Sequence, residues 1–320
     1  MEINKKTNQM KPFIFTGDSF TWGEGLELYN DTIQNWLKPI FEKKQLPYTY
    51  DTVHNFSADG SPTRYRTEFR YAQIVSDYFN TFFVTDCNGG SNLSALDYAE
   101  RMTDFYGSDN FSYIIMNLTS LNRDQYLIVR ESLINEFEMD IGNDGKALYN
   151  FIESWYEWCS VGNFDKEFYS DVSTFNKIFN NPDRLPTFDI DSAQRIQTLF
   201  FEIDGFITYL NAIQYNFYKT KFEYFKSNGH TIKFIGHWNS YDSERFSEIP
   251  DDITEFITSN LIPIEYNNKT YNELSEMLEY SELWIDTDLP WTDNQHPSKI
   301  FHKVIGDSVI KYIENLENRK

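Results

Sequence analysis

Four short runs of the chain are apolar at nearly every position rather than at every second one: Pro12–Thr16, Phe82–Thr85, Tyr113–Leu118 and Thr231–Gly236. A strand covered on both faces leaves this unbroken pattern, so each run predicts a buried parallel strand. Leu283–Ile285 is a shorter candidate for a fifth. Helical spacing fills the stretches between them. From Asp31 to Lys43 it places Ile33, Trp36, Leu37, Ile40 and Phe41 on one face, and from Arg66 to Phe79 it does the same with Phe69, Ala72, Val75 and Phe79. A last helix over Ile300–Leu316 carries Val304, Ile305, Val309, Tyr312 and Ile313. Alternation of this kind predicts an α/β fold, an open and mostly parallel sheet with helices on both faces. Right-handed crossovers would bring the strand ends that carry Gly17, Cys87 and Leu118 to one edge, where ligands bind in such sheets.

The stretch from Arg123 to Phe225 does not follow the alternation. Aromatics at helical spacing over Ala147–Cys159 and Ile196–Phe225 flank a turn-rich segment, Gly162–Pro186. Residues 124–226 are therefore expected to form a helical insertion between the third and fourth strands. No Pro/Ser/Gly linker bounds it, so the reading is a single domain over residues 1–320. Neither an internal repeat nor a low-complexity tract is present.

Composition narrows the function classes. With 28 Phe and 22 Tyr in 320 residues, the chain has the means to build a core and does not read as disordered. Its net charge of −21 argues against a nucleic-acid partner, because phosphate backbones recruit clustered Lys and Arg, and equally against an anionic membrane surface. Two cysteines, Cys87 and Cys159, make no disulfide framework and no zinc motif, and Cys87 is expected to pack as a small apolar side chain. The polar start at Met1–Lys11 has no signal-peptide pattern, and no apolar run reaches the length of a membrane span. The expected compartment is the cytoplasm, with incorporation into a larger particle as the other option.

Chemistry concentrates at the two ends. Ser19 follows the first strand in Gly17-Asp18-Ser19, and Asp293 and His296 share one short segment, Asp293-Asn294-Gln295-His296-Pro297. A hydroxyl, an imidazole to take its proton and a carboxylate to orient the imidazole are what a nucleophilic serine needs. Asp286 and Asp288 are alternative carboxylates, though their spacing from His296 differs. Without chemistry, Ser19 would be an ordinary helix cap, His296 a surface histidine and Gly89 and Gly90 a tight turn. His54, His230, His237 and His302 are expected to do structural or surface work, and no metal site or cofactor is implied.

In order and placement these blocks resemble the SGNH, or GDSL-type, hydrolase superfamily. Gly17-Asp18-Ser19 is similar to its first block, Asn88-Gly89-Gly90-Ser91-Asn92 to its second, and Asp293-x-x-His296-Pro297 to its last, with a terminal helix following. The third block departs: where relatives carry Gly-x-Asn-Asp, this chain ends its strand with Asn117-Leu118-Thr119-Ser120, so Thr119 stands in the place of the oxyanion asparagine. The resemblance covers about two-thirds of the chain by motif order and leaves residues 124–226 outside.

That resemblance implies a flavodoxin-like fold and a serine esterase acting on a small acyl group, with O-acetylated carbohydrate the favoured substrate class. Ser19, Asp293 and His296 would be catalytic. The backbone N–H groups of Ser19 and of Gly89 (favoured over Gly90), with the Thr119 hydroxyl, would form the oxyanion hole. Asn92 reads either as substrate-contacting or as orienting the loop, and Arg123 either as a substrate partner or as one half of an ordinary salt bridge. Two competing readings remain: acyl transfer to an acceptor other than water, and a catalytically weak structural or binding component of an oligomer or larger assembly.

Overall fold

A computed structural model describes residues 10–23, 26–44, 67–85, 91–119, 206–236, 250–284 and 297–319. In chain order its elements are β1 (Phe13–Thr16), α1 (Ser19–Trp22), α2 (Asp31–Lys44), α3 (Tyr71–Tyr78), β2 (Phe83–Thr85), α4 (Asn92–Tyr106) and β3 (Tyr113–Leu118). They continue with α5 (Phe206–Ser227), β4 (Ile232–Gly236), α6 (Asp251–Ser259), β5 (Ile264–Tyr266), β6 (Lys269–Tyr271), α7 (Ser281–Trp284) and α8 (Lys299–Glu317).

The four apolar runs pair into one parallel sheet of order β2-β1-β3-β4. Strand residues alternate between two cores, as the pleat requires. Phe13, Phe15, Tyr113, Ile115 and Ile235 face α3, α7 and α8. Ile14, Ile114, Met116, Leu118, Ile232 and Phe234 face α4, α5 and α6. The molecule is thus an α/β protein with helices on both faces of a parallel sheet.

The expected fifth strand at Leu283–Ile285 is corrected. Ser281–Trp284 is a short helix whose Leu283 and Trp284 enter the core. The place beside β4 is taken instead by isolated bridges, from Leu261 to Phe234 and from Glu273 to Gly236. Phe234 donates its N–H to Asn260 and accepts one from Ile262, at 2.9 and 2.7 Å. A two-residue hairpin, β5–β6, turns through Asn267 and Asn268, whose φ of 48° and 61° suit the tight turns that twisted strands need.

Of the stretch expected as an insertion, the described part belongs to α5. Tyr218, Phe222 and Phe225 on this helix pack into the second core, so it serves as the crossover that a parallel β3–β4 connection demands. Residues 120–205 lie outside the described residues.

Candidate functional site

β1 and β3 are neighbours, but the chain leaves β1 for β2 on one side and then crosses back to β3 on the other. Such a reversal opens a crevice at the carboxyl ends of the two strands, the usual ligand position in open α/β sheets. At these strand ends stand Gly17, Asp18 and Ser19, after β1, and Asn117 and Thr119, at the end of β3. The register Thr16 to Met116 puts the two strand ends level with each other.

Gly17 makes the first turn feasible. Its φ is +147°, and a Cβ there would stand 2.7 Å from Thr21 Oγ1 and 2.8 Å from the Asn117 carbonyl oxygen. No residue with a side chain fits. Asp18, 1% exposed, then folds back over the turn. Its Oδ1 accepts the Phe20 N–H at 3.0 Å and the Asn117 side-chain N–H at 3.0 Å. Ser19 is the first residue of α1, held between these two anchors.

Below the turn, Thr21 Oγ1 bonds the Thr16 carbonyl at 3.3 Å and the Tyr71 hydroxyl at 2.9 Å. Thr16 Oγ1 donates to the Ala95 carbonyl at 3.1 Å, which ties the end of β1 to α4.

Asn92 and Thr119 form a second joint. Asn92 Nδ2 donates to the Thr119 carbonyl at 2.9 Å, and Asn92 Oδ1 accepts the Thr119 N–H at 2.8 Å. Both ends of the amide are thereby engaged by backbone, and both residues are buried. The side chain thus ties the head of α4 to the end of β3, and Ser91 caps the helix by accepting the Ser94 N–H at 3.2 Å.

Asp293 and His296, Gly89 and Gly90, and Arg123 lie outside the described residues. The described residues nearest to that segment, Trp284 before it and Pro297 onward after it, run close to the Ser19 turn. The Phe20 ring lies 5.9 Å from that of Trp284, and Trp284 lies 4.9 Å from Phe301, centroid to centroid. Ser298 donates its backbone N–H to the Leu283 carbonyl at 2.8 Å and caps α8 by accepting the Phe301 N–H at 3.3 Å. Tyr29 reaches the same helix through its hydroxyl.

His302 is fully buried, one turn into α8. It stacks on Tyr71 at 5.8 Å and accepts the Tyr71 backbone N–H at Nδ1, 3.3 Å away, which is structural work. Reading by motif passes over Asn117, the partner of Asp18. Its only sequence signal is a polar residue inside an apolar strand.

Among the described residues, no group of three or more His, Cys, Asp or Glu is gathered to hold a metal ion, and no helix is long and apolar enough to cross a membrane.

No protein-family model matches the chain, and no solved structure matches it. A curated relative, a BTB/POZ domain-containing protein of Acanthamoeba polyphaga mimivirus, is 26% identical over 92 residues. The aligned stretch is 29% of this chain and spans 18% of the length of that protein.

Proposed function

We propose that the chain is a serine ester hydrolase of the SGNH type, with a flavodoxin-like sheet and Ser19 as nucleophile. The observation that carries the reading is the ring sequence Phe20–Trp284–Phe301, which brings the segment after Ser19 beside the helix that follows His296. The strand order supports it as well, because Ser19 and Thr119 then flank the crevice between β1 and β3. In this reading Ser19 Oγ attacks the ester carbonyl while His296 accepts its proton, and Asp293 holds the imidazole in the required tautomer. The Ser19 and Gly89 N–H groups and the Thr119 hydroxyl receive the developing negative charge. His296 returns the proton to the leaving alcohol, and water, activated by the same imidazole, releases the acyl group from Ser19. The proposed substrates are esters of small acyl groups, with O-acetylated carbohydrate favoured.

The test is covalent labelling by a fluorophosphonate probe together with hydrolysis of a p-nitrophenyl acetate reporter. Native protein should label, Ser19→Ala should not, and His296→Ala should lower hydrolysis by about six orders of magnitude. An unlabelled native protein overturns the reading. A catalytically weak binding component is the second reading, favoured by threonine at the end of β3 in place of the amide donor. It expects the unlabelled outcome together with a stable oligomer in solution.

A further inference from the structure

Resting on the Ser19 reading, we infer that Asp18 and Asn117 are a positioning pair that fixes the backbone of Ser19 against the end of β3. Three observations carry this.

First, the Phe20 N–H to Asp18 Oδ1 bond spans two residues, so Ser19 is the central residue of a closed turn. Its peptide groups cannot rotate without breaking that bond.

Second, the same Oδ1 is held by the Asn117 amide across 99 residues of chain, so the turn is referenced to the sheet and not merely to itself. Both side chains are 1% exposed, a setting in which water does not compete for these bonds.

Third, Asn117 Oδ1 is buried and accepts no hydrogen bond among the described residues. Turning the amide over would set its oxygen against the Asp18 oxygen, two acceptors facing each other, so Asp18 dictates the orientation. An orphan amide oxygen is destabilising in a buried site, and an apolar side chain of the same shape would avoid that. Packing alone therefore gives no reason for an asparagine here. Its N–H bond to Asp18 does.

Together with the Asn92–Thr119 joint on the neighbouring strand end, the pair sets the distance between the candidate nucleophile and the edge of the crevice. A displacement of about 1 Å at a reacting group can cost on the order of a hundredfold in rate.

The experiment measures phosphonylation by a fluorophosphonate probe, separating the maximal rate kinact from the half-saturating concentration KI, alongside thermal unfolding. Asn117→Ala and Asp18→Ala should each lower kinact by about 10- to 100-fold with KI unchanged. Asp18→Asn keeps an acceptor oxygen for Phe20 and should recover kinact to within about fivefold of native. The double variant should be no slower than the worse single, because both act through one contact. Ile253→Ala, in the opposite core, supplies a destabilised control whose kinact should stay native. Should Asp18→Ala fail to fold, Asn117→Ala and Asp18→Asn decide the matter. Labelled native protein with variants at native kinact, losses that multiply, or losses matched by the Ile253 control would overturn the pair while sparing Ser19 as nucleophile. Unlabelled native protein would overturn both.

Discussion

The backbone N–H of Lys299 donates to the Tyr29 hydroxyl at 3.2 Å, joining residues 270 apart in sequence. The Lys299 ammonium lies 4.5 Å from the centroid of the Phe69 ring, and the Phe69 and Tyr29 rings are themselves 5.9 Å apart. The start of α8 is thus seated on aromatic groups from the head of the chain. A head-to-tail joint at this point is what a serine near one end and a histidine near the other need in order to cooperate.

Trp284 is the central ring of the second joint and is expected to be the most sensitive single position in it. Its indole N–H donates to the Met277 carbonyl at 3.2 Å while its ring makes T-shaped contacts with Phe20 and Phe301. Trp284→Ala should cost about 3–5 kcal/mol of stability by urea unfolding. A cost under about 1 kcal/mol would show that the rings are not packed as described.

Gly17→Ala tests the first turn. The φ of +147° and the two contacts under 3 Å leave no relaxed place for a methyl group. Destabilisation by about 1–3 kcal/mol is expected, read from the shift of the denaturation midpoint at unchanged slope. Gly229, with φ +71° and open space around it, should tolerate the same change better.

Asn92→Ala removes both partners of the buried Thr119 peptide groups at once. A loss of about 2–4 kcal/mol in chemical denaturation would follow from leaving a donor and an acceptor unmatched. Asn92→Asp keeps the acceptor for the Thr119 N–H but turns the other oxygen toward the Thr119 carbonyl, so it should recover little. A fully stable Asn92→Asp protein would argue against the two-bond joint.

His230 gives the pH prediction. Its ring packs on those of Tyr224 and Phe225, its Nε2 is buried without a hydrogen bond among the described residues, and burial pulls its pKa below the ordinary 6.5, with Asp104 and Asp109 opposing. The unfolded chain therefore takes up this proton more readily than the folded one. The contribution to stability is complete above the unfolded pKa. It declines as pH falls below about 6.5 and levels off once the folded histidine is also charged. His230→Gln should flatten this part of the melting temperature against pH curve between pH 7 and 5. An unchanged slope would refute it.

The strands were legible because burial on both faces leaves few polar interruptions: Tyr113–Leu118, apolar but for Asn117, has the same bounds in sequence and structure. The helix expected over Ile300–Leu316 is found at Lys299–Glu317, with its Ser298 cap just outside the apolar stripe. The fifth sheet position was not legible. Leu261 and Glu273 each contribute a single bridge, too little to impose a pattern, while Leu283 and Trp284 mimic a strand by being apolar neighbours in a short helix. At the strand ends, Ser19 shows in the sequence because it follows an apolar run within Gly17-Asp18-Ser19. Asp18–Asn117 does not, because that contact exists only once β1 and β3 are aligned.

The two cores are completed at different times as the chain emerges from the ribosome. The side of the sheet bearing Phe13, Phe15, Tyr113 and Ile115 is roofed by α3 together with α7, α8 and neighbouring segments beyond Ile262. Until those last segments appear, nascent protein carries a broad greasy plane that a holdase chaperone could shield, so truncation ahead of α8 should yield inclusion bodies rather than a smaller soluble fold.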